Sequence, residues 1–560
     1  MSETDAVHLT CMIETKSQRT SPSLHLLALG VILALELIGF VAIVWAAEVK
    51  GYHPSKLAAG RSLALFIPMI AVFLWLMRRQ RYRGEIMIFT AAAFLFGFGL
   101  VMQYRLFSDP EYSSRGAQRG KAREEKAQTV RLLNVKTGYD DEKKRFMFGS
   151  AEAVPEELPA PARQAPARSF FEILASVNTF IPIAALLALM LGFIVFKNDR
   201  VLLWLQRRAL MVGLATMIPF AVLVLGFSEE GKFLGQTTPW EPVKIVFLLS
   251  FAGILADSYR HLSRTRWGLP PFKYLVPFAA IAAMPVVPFF ALSDFGQMLV
   301  FFGVYVMLYV VAVRKKAQLA YGLVLLVMLF GCFSLASKAK SGFGIPPRVY
   351  FRFYMWTHMW EPPPIDTWWW KRDFERYLKA KDLAIDSNDA REIKQRNSEA
   401  WADKVMQQSQ GLFGIHDGGA LGTGLGIGFP ETVPISDSDF IYAAVAEETG
   451  LAGGLALLIA LGVLVSSGIV VSLGANDMFT KLIAAGLTGF LALQSLVNIG
   501  GVLRLLPMTG ITLPFVSHGG WSLITSFAML GILLAISHRN AVAGSSSQLV
   551  EDPSRFVAVR

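Results

Sequence analysis

The feature that most constrains this chain is the recurrence of apolar runs of bilayer-spanning length. A run of about 20 apolar residues crosses the ~30 Å hydrocarbon core as a helix, and a helix satisfies all its backbone N–H and C=O groups within one segment. Runs of this kind occur at about 23–47, 60–77, 85–104, 173–196, 208–227, 241–258, 273–292, 295–313, 317–337, 440–471, 480–503 and 514–537. Across 560 residues, 54% are hydrophobic and 17% charged, and mean hydropathy is +0.46, which excludes a soluble multidomain protein. The expectation is an all-α polytopic membrane protein with about twelve transmembrane helices. The run at 23–47 follows a polar tail, is too long for a signal h-region and lacks a cleavage site, so it reads as a retained span.

Charge placement gives the orientation. The net charge of +11 would suggest nucleic acid in a soluble chain, but here the cations cluster in short segments between apolar runs. RRQRYR (78–83), KNDR (197–200), YRHLSRTR (259–266), RKK (314–316) and the tail from SHRN (537–540) fall on one side, which the positive-inside rule makes cytoplasmic, with both termini. No nucleic-acid partner is expected. Two cysteines, Cys11 and Cys332, make neither a disulfide framework nor a metal-ligand spacing.

That orientation puts two long polar segments outside, 105–172 and 338–439. The first ends in the Pro/Ala-rich EAVPEELPAPARQAPARS and reads as a linker. The second carries RVYFRFYMWTHMWEPPPIDTWWW, a charged helix-compatible stretch and the glycine-dense GGALGTGLGIG, and is too aromatic for simple disorder, so the chemistry is expected there. Trp356, Trp360 and Trp368 to Trp370 suit stacking on sugars, seating at headgroup level or contact with a partner.

Several constellations carry the functional reading. Gly424 and Gly426, in the glycine run, allow close backbone approach to a ligand or a re-entrant turn; no βαβ context supports a dinucleotide loop. Asp437 and Asp439, before the apolar run at 440, are placed to cap a helix N-terminus. Glu447 and Glu448 lie inside that run, where an unpaired acid is costly, so at least one must be paired or face a cavity. Glu241 and Lys244 are spaced i,i+3 for an ion pair at the outer end of a span, and Asp294 opens another. Gly519 and Gly520, with His518, interrupt the run at 514–537, which points to helix packing or a ligand site.

Taken in order, GGALGTGLGIGFPETVPISDSDFIYAAVAEETGLAGG and LLPMTGITLPFVSHGGWSLITSFAMLGILL resemble the SEDS family of shape, elongation, division and sporulation proteins, the RodA/FtsW-type peptidoglycan glycosyltransferases. GLVMQYRL (99–106), PWEPVKI (239–245) and SDFGQ (293–297) are weaker echoes. The resemblance implies a ten-helix core to which 23–84 adds an N-terminal pair. The expected organisation is a cytoplasmic tail (1–22), the pair (23–84), a first core part (85–337), a catalytic outer loop (338–439), a second core part (440–537) and a cytoplasmic tail (538–560). It also implies polymerisation of lipid II with release of undecaprenyl pyrophosphate, a class B penicillin-binding protein as partner, and the bacterial cytoplasmic membrane as location. A flippase for the same precursor and a scaffold that recruits the penicillin-binding protein are the competing readings.

The family's catalytic aspartate lies in the large outer loop, and here the pattern departs. Reading from the left, Glu361 beside Pro362 takes its place; reading from the right, Gln408 and Ser409 match the closing QS, and Asp403 precedes them. An insertion of about forty residues separates the halves. Asp403 is the favoured general base, with Asp366 and Glu361 as alternatives. Arg348, Arg352, Lys244 or Arg504 would stabilise the departing pyrophosphate, alone or with magnesium or manganese. Glu241, Gln408, Ser409, Glu447, Ser517 and His518 complete the expected substrate-binding set.

Overall fold

The computed structural model describes residues 22–51, 53–109, 137–140, 145–148, 177–216, 240–262, 295–312, 347–381 and 389–551. The chain starts with α1 (Pro22–Val49), a continuous apolar helix. Next comes α2 (Lys56–Ala64), opened by Ser55, whose Oγ accepts the Ala58 N–H at 3.2 Å. α3 (Ile67–Leu74) has a proline in its first turn and runs into a π turn at Trp75–Arg79. Thus the span expected at 60–77 is two helices and a turn, which together cover Lys56–Arg79. α4 (Met87–Ser108) follows and is mostly buried.

Within segment 105–172, β1 (Thr137–Asp140) pairs antiparallel with β2 (Arg145–Phe148), Thr137 opposite Phe148. Beyond residue 109, this short hairpin is the described part of segment 105–172; the membrane-spanning elements are helices, as the all-α expectation has it. Then come α5 (Val177–Phe196), α6 (Asp199–Arg207), α7 (Trp240–Leu262) and α8 (Phe295–Ala312). The runs expected at 273–292 and 317–337, and 208–227 beyond residue 216, lie outside the described residues, as do Asp294, Cys11 and Cys332.

α9 (Pro347–His358), α10 (Lys371–Ala380) and the first half of α11 (Ala390–Gly418) share an aromatic core of Tyr350, Trp369, Trp370, Phe374 and Trp401. The Trp370 indole N–H donates to Asn397 Oδ1 at 2.7 Å and that of Trp401 to Met359 O at 2.8 Å, so the buried rings leave no unpaired donor. Trp369, Trp370 and Trp401 are therefore core, which removes Trp369 and Trp370 from the side chains available to a sugar; Trp368 remains partly exposed.

The chain ends with α12 (Ile441–Leu473), α13 (Met478–Val502) and α14 (Gly520–Glu551). α13 is the most buried span, enclosed by α7, α8 and α12, while α5 runs against α14 and α12 against α4. The run expected as a helix over 514–537 becomes helical only at Gly520. Its first residues belong to a non-helical segment, 503–519, in which Arg504 (φ 59°) and Phe515 (φ 66°) are left-handed. Among the described residues, eight helices are long and apolar enough to cross a membrane, and this is a polytopic membrane protein. α1 lies at the periphery, with Leu27, Ile38, Val41 and Trp45 exposed on its outer flank, where hydrocarbon replaces water.

Candidate functional site

The glycine run folds back onto a break in α12. Gly450 (φ 66°) interrupts the helix, and the loop threads across the break: Thr423 N–H donates to Glu447 O at 2.9 Å and Gly424 N–H to Glu448 O at 3.0 Å, while Leu451 N–H returns to Gly419 O at 2.9 Å. Gly422 (φ 84°) must be glycine, because a Cβ there would overlap the Glu448 carbonyl. Gly426 packs on Ala46 and Ile43 of α1.

The two glutamates of α12 hold this loop. The Glu447 carboxylate accepts the Phe429 N–H at 2.6 Å, and Glu448 accepts the Gly426 N–H at 3.1 Å. Arg105 of α4, fully buried, donates to Glu448 at 2.7 Å, to Glu431 at 3.2 Å and to Gly428 O at 2.9 Å, with Asp109 at 3.5 Å. Lys50, at the end of α1, donates to Gly428 O at 2.8 Å and sits 4.3 Å over the Phe429 ring. Burial lowers the Lys50 pKa, and the neighbouring Arg105 charge adds to this; burial also raises Glu431, against the pull of Arg105. Opposite charges in a low-dielectric site attract strongly, but only complete hydrogen bonding offsets their desolvation, and this cluster supplies most of it. Glu447 and Glu448 thus position backbone.

Outward of that cluster lies a second polar group. Asp439 Oδ2 and Arg352 Nη2 both come within 3.7 Å of the point where a Cβ would stand on Gly510 (φ 73°). Gln407 Nε2 donates to Pro434 O at 2.9 Å and lies 3.5 Å from Asp439 Oδ1; Ser438 Oγ donates to Asp439 at 3.3 Å. Asn498 Nδ2 ties the Asp439 and Ile511 carbonyls, at 2.9 and 2.6 Å. A cavity of about 10 Å³, room for one water, is lined by Asp439, Asn498, Thr509 and Gly510. Burial pushes the Asp439 carboxyl up to about 6; the Asp437 charge adds to the rise, while Ser438 and Arg352 oppose it.

The capping role expected for Asp437 and Asp439 is not what the chain does. The N-cap of α12 is Phe440, with no side-chain cap; the Asp439 carboxylate lies instead against Ser438 and Gln407, and the Asp437 carbonyl accepts the His518 N–H at 2.8 Å. Asp403 is exposed on α11 one turn before Gln407, so both share the helix face that meets Asp439. Glu361 and Asp366 are exposed beyond α9; burial and the Glu361 carboxylate both raise the Tyr354 pKa. Of the expected cations, Arg352 reaches the site and Arg348 is exposed. Arg504 instead clasps α9, its Nε donating to Trp356 O at 2.9 Å while the Trp356 indole returns to Arg504 O at 3.1 Å.

Lys244 belongs to another buried network. Its Nζ is 2.9 Å from both Glu241 oxygens and 3.3 Å from Gln494 Oε1, and Gln297 Nε2 reaches Glu241 at 3.2 Å. Gln494 then donates to Thr512 O at 3.0 Å, which joins α7, α8 and α13 to the 503–519 segment. Gln408 donates to Gly501 O and Val502 O, ending α13, and Ser409 bonds its own helix. Ser517 donates to Ser438 O, and the His518 ring stands edge-on to Phe107 at 4.9 Å. Arg105 was absent from the expected set although it lies in GLVMQYRL; an arginine at the outer end of an apolar run was the available signal.

The sequence profile of the FtsW/RodA/SpoVE family, described as cell cycle proteins, matches residues 393–542. Over that segment the chain is similar to the FtsW/RodA/SpoVE family. Among similar proteins, peptidoglycan glycosyltransferase RodA of Mycobacterium tuberculosis (strain ATCC 25618 / H37Rv) is 46% identical over 129 residues, 23% of this chain and 28% of the relative. Stage V sporulation protein E of Bacillus subtilis is 39% identical over 142 residues, 24% of this chain and 39% of that protein. The chain therefore matches well under half the length of these relatives. Of solved structures, a chain from a peptidoglycan synthase complex gives a TM-score of 0.44 at 22% identity, covering 66% of this chain and 93% of that one. RodA of Thermus thermophilus gives 0.32 at 21% identity, covering 64% and 96%. The family likeness lies in residues 393–542.

Proposed function

We propose that this protein is a peptidoglycan glycosyltransferase of the bacterial cytoplasmic membrane, both termini cytoplasmic, that polymerises lipid II and releases undecaprenyl pyrophosphate. The observation that carries the reading is the Asp439–Arg352 pair over Gly510, built from the matched segment and the outer loop together, with Asp403 one turn above it on α11. The acceptor sugar hydroxyl must lose a proton as it attacks an anomeric carbon bearing pyrophosphate, and a placed carboxylate contributes about 10²–10⁴-fold as general base. Asp403 faces the open side and serves as that base, with Asp366 and Glu361 as alternatives. Arg352 meets the developing charge on the leaving pyrophosphate, and Asp439 holds its guanidinium in place.

Among the described residues, no three His, Cys, Asp or Glu side chains gather closely enough to cage a metal. A magnesium or manganese ion would take most of its oxygen ligands from the pyrophosphate, with Asp439 and Asp403 as the protein carboxylates of the site. The partner in this reading is a class B penicillin-binding protein that crosslinks the product.

The test is to give purified protein labelled lipid II, with and without a class B penicillin-binding protein, and to follow glycan and pyrophosphate release together. Polymer with stoichiometric undecaprenyl pyrophosphate is expected. Lipid transfer between leaflets without polymer would replace this reading with a flippase, and partner binding without either would leave a scaffold.

A further inference from the structure

α1 carries one acid deep in its apolar stretch, Glu36, which the proposed reaction does not use. The side chain is 3% exposed, and both carboxyl oxygens are buried without a hydrogen-bond partner. It sits 14 residues from Pro22 and 13 from Val49, about 20 Å from either helix end at ~1.5 Å per residue. The carboxyl packs on Gly97 of α4, where a Cβ would overlap Oε1, so the glycine provides its seat.

Among the described residues, no cation is hydrogen-bonded to either Glu36 oxygen. On α1 itself, His25 is bonded to Thr90 at 2.9 Å and Glu48 pairs with Lys56 of α2 at 3.1 Å. On α4, Arg105 lies eight residues beyond Gly97, ~12 Å by helical rise, and is engaged by Glu448, Glu431, Asp109 and Gly428. From α12 come only Glu447 and Glu448, both committed to the glycine loop, and that loop meets α1 through Leu425 and Gly426, neither of which titrates. An ionised carboxylate without partner or water is strongly disfavoured in such a place, whereas the neutral acid packs at modest cost.

We propose that Glu36 is a proton-binding site: the neutral acid holds α1 on α4, and loss of the proton drives α1 off the core. Release would travel outward, because Lys50 at the end of the same helix clamps Gly428 and Phe429 of the glycine loop. Protonation inside the membrane thereby sets whether the loop beside the outer site is held. The inference does not depend on the reaction assigned above.

The experiment uses the full chain in lipid nanodiscs, with Cys11 and Cys332 replaced by serine and the pair Gly39→Cys and Val101→Cys introduced. A Cβ on Gly39 would stand 3.0 Å from Val101 Cγ1, so the pair reports docking of α1 on α4 through oxidation to a disulfide. As pH is raised from mildly acidic to alkaline, disulfide yield is expected to fall several-fold, against the intrinsic rise that thiolate formation gives. With Glu36→Gln, an isostere of the neutral acid, the fall should vanish. The same pH dependence in both would overturn the proposal. Infrared spectra at neutral pH provide a second readout: a protonated-carboxyl C=O band should be lost in Glu36→Gln, and an unchanged band would show that Glu36 is ionised and refute the site.

Discussion

Replacing Arg105 with leucine should loosen the glycine loop far more than it disturbs the rest of the bundle. Arg105 satisfies Glu448, Glu431 and Asp109, whose side chains are no more than 8% exposed, and it also donates to Gly428 O. Removing one partner of a buried ion pair costs about 3–5 kcal/mol, because the remaining charge stays desolvated. Since ~1.4 kcal/mol is a factor of ten, opening of the loop should rise by roughly 10² to a few times 10³. The reporters are the amides of Thr423, Gly424 and Gly426, which donate to Glu447 O at 2.9 Å, Glu448 O at 3.0 Å and the Glu448 carboxylate at 3.1 Å. Hydrogen–deuterium exchange read by mass spectrometry should show that acceleration in the peptide spanning them, with peptides from α13 unchanged. Arg105→Lys, which keeps a charge but fewer donors, should fall between. An increase in Arg105→Leu below about threefold, under ~0.7 kcal/mol, would mean the cluster is not what holds the loop.

Other expectations follow from the same geometry. Asp439, with its carboxyl at about 6, is ionised and pairs with Arg352 above that pH; the polymerisation rate should fall as pH drops through it, and Asp439→Asn should be slow and flat across that window when initial rates are measured. Lys244→Met leaves Glu241 buried without its cation and should lose about 3–5 kcal/mol in detergent denaturation, while Lys244→Met with Glu241→Gln recovers part of the loss; equal losses for the two would remove the pair from the account. Gly419→Ala, at φ 52° and ψ −140° with open space around it, should cost about 1–3 kcal/mol from backbone strain, whereas Gly422→Ala should cost more because its Cβ also overlaps backbone; equal melting shifts would contradict that contrast.

What could be read from the sequence follows the range of the interactions. Apolar runs report spans because each helix satisfies its backbone locally, so α1, α4, α12 and α13 were found near their bounds. The Glu241–Lys244 pair was readable because three residues separate its members on one helix. The Arg105–Glu448 pair was not, since 343 residues separate its members and no local pattern joins them. Capping failed for Asp439 because its carboxylate lies against Ser438 and, from α11, Gln407 rather than against the free N–H groups of α12. Hydropathy could not show that 514–519 is loop, because apolar side chains there are buried by neighbouring helices without being helical. Trp369 and Trp370 looked available to a sugar only because burial in a small outer core is invisible to composition. Glu36 is a lone acid in an apolar run, and among the described residues the structure gives its carboxyl no hydrogen-bond partner.

The most direct test of the central claim is the rate of lipid II polymerisation by folded, partner-bound protein carrying Asp403→Asn, Asp366→Asn or Glu361→Gln, each compared with the unmodified chain. The account predicts a loss of about 10²–10⁴-fold for Asp403→Asn and little change for the other two. Full activity in Asp403→Asn would contradict it, and would move the base to whichever of the remaining acids abolishes polymer when replaced.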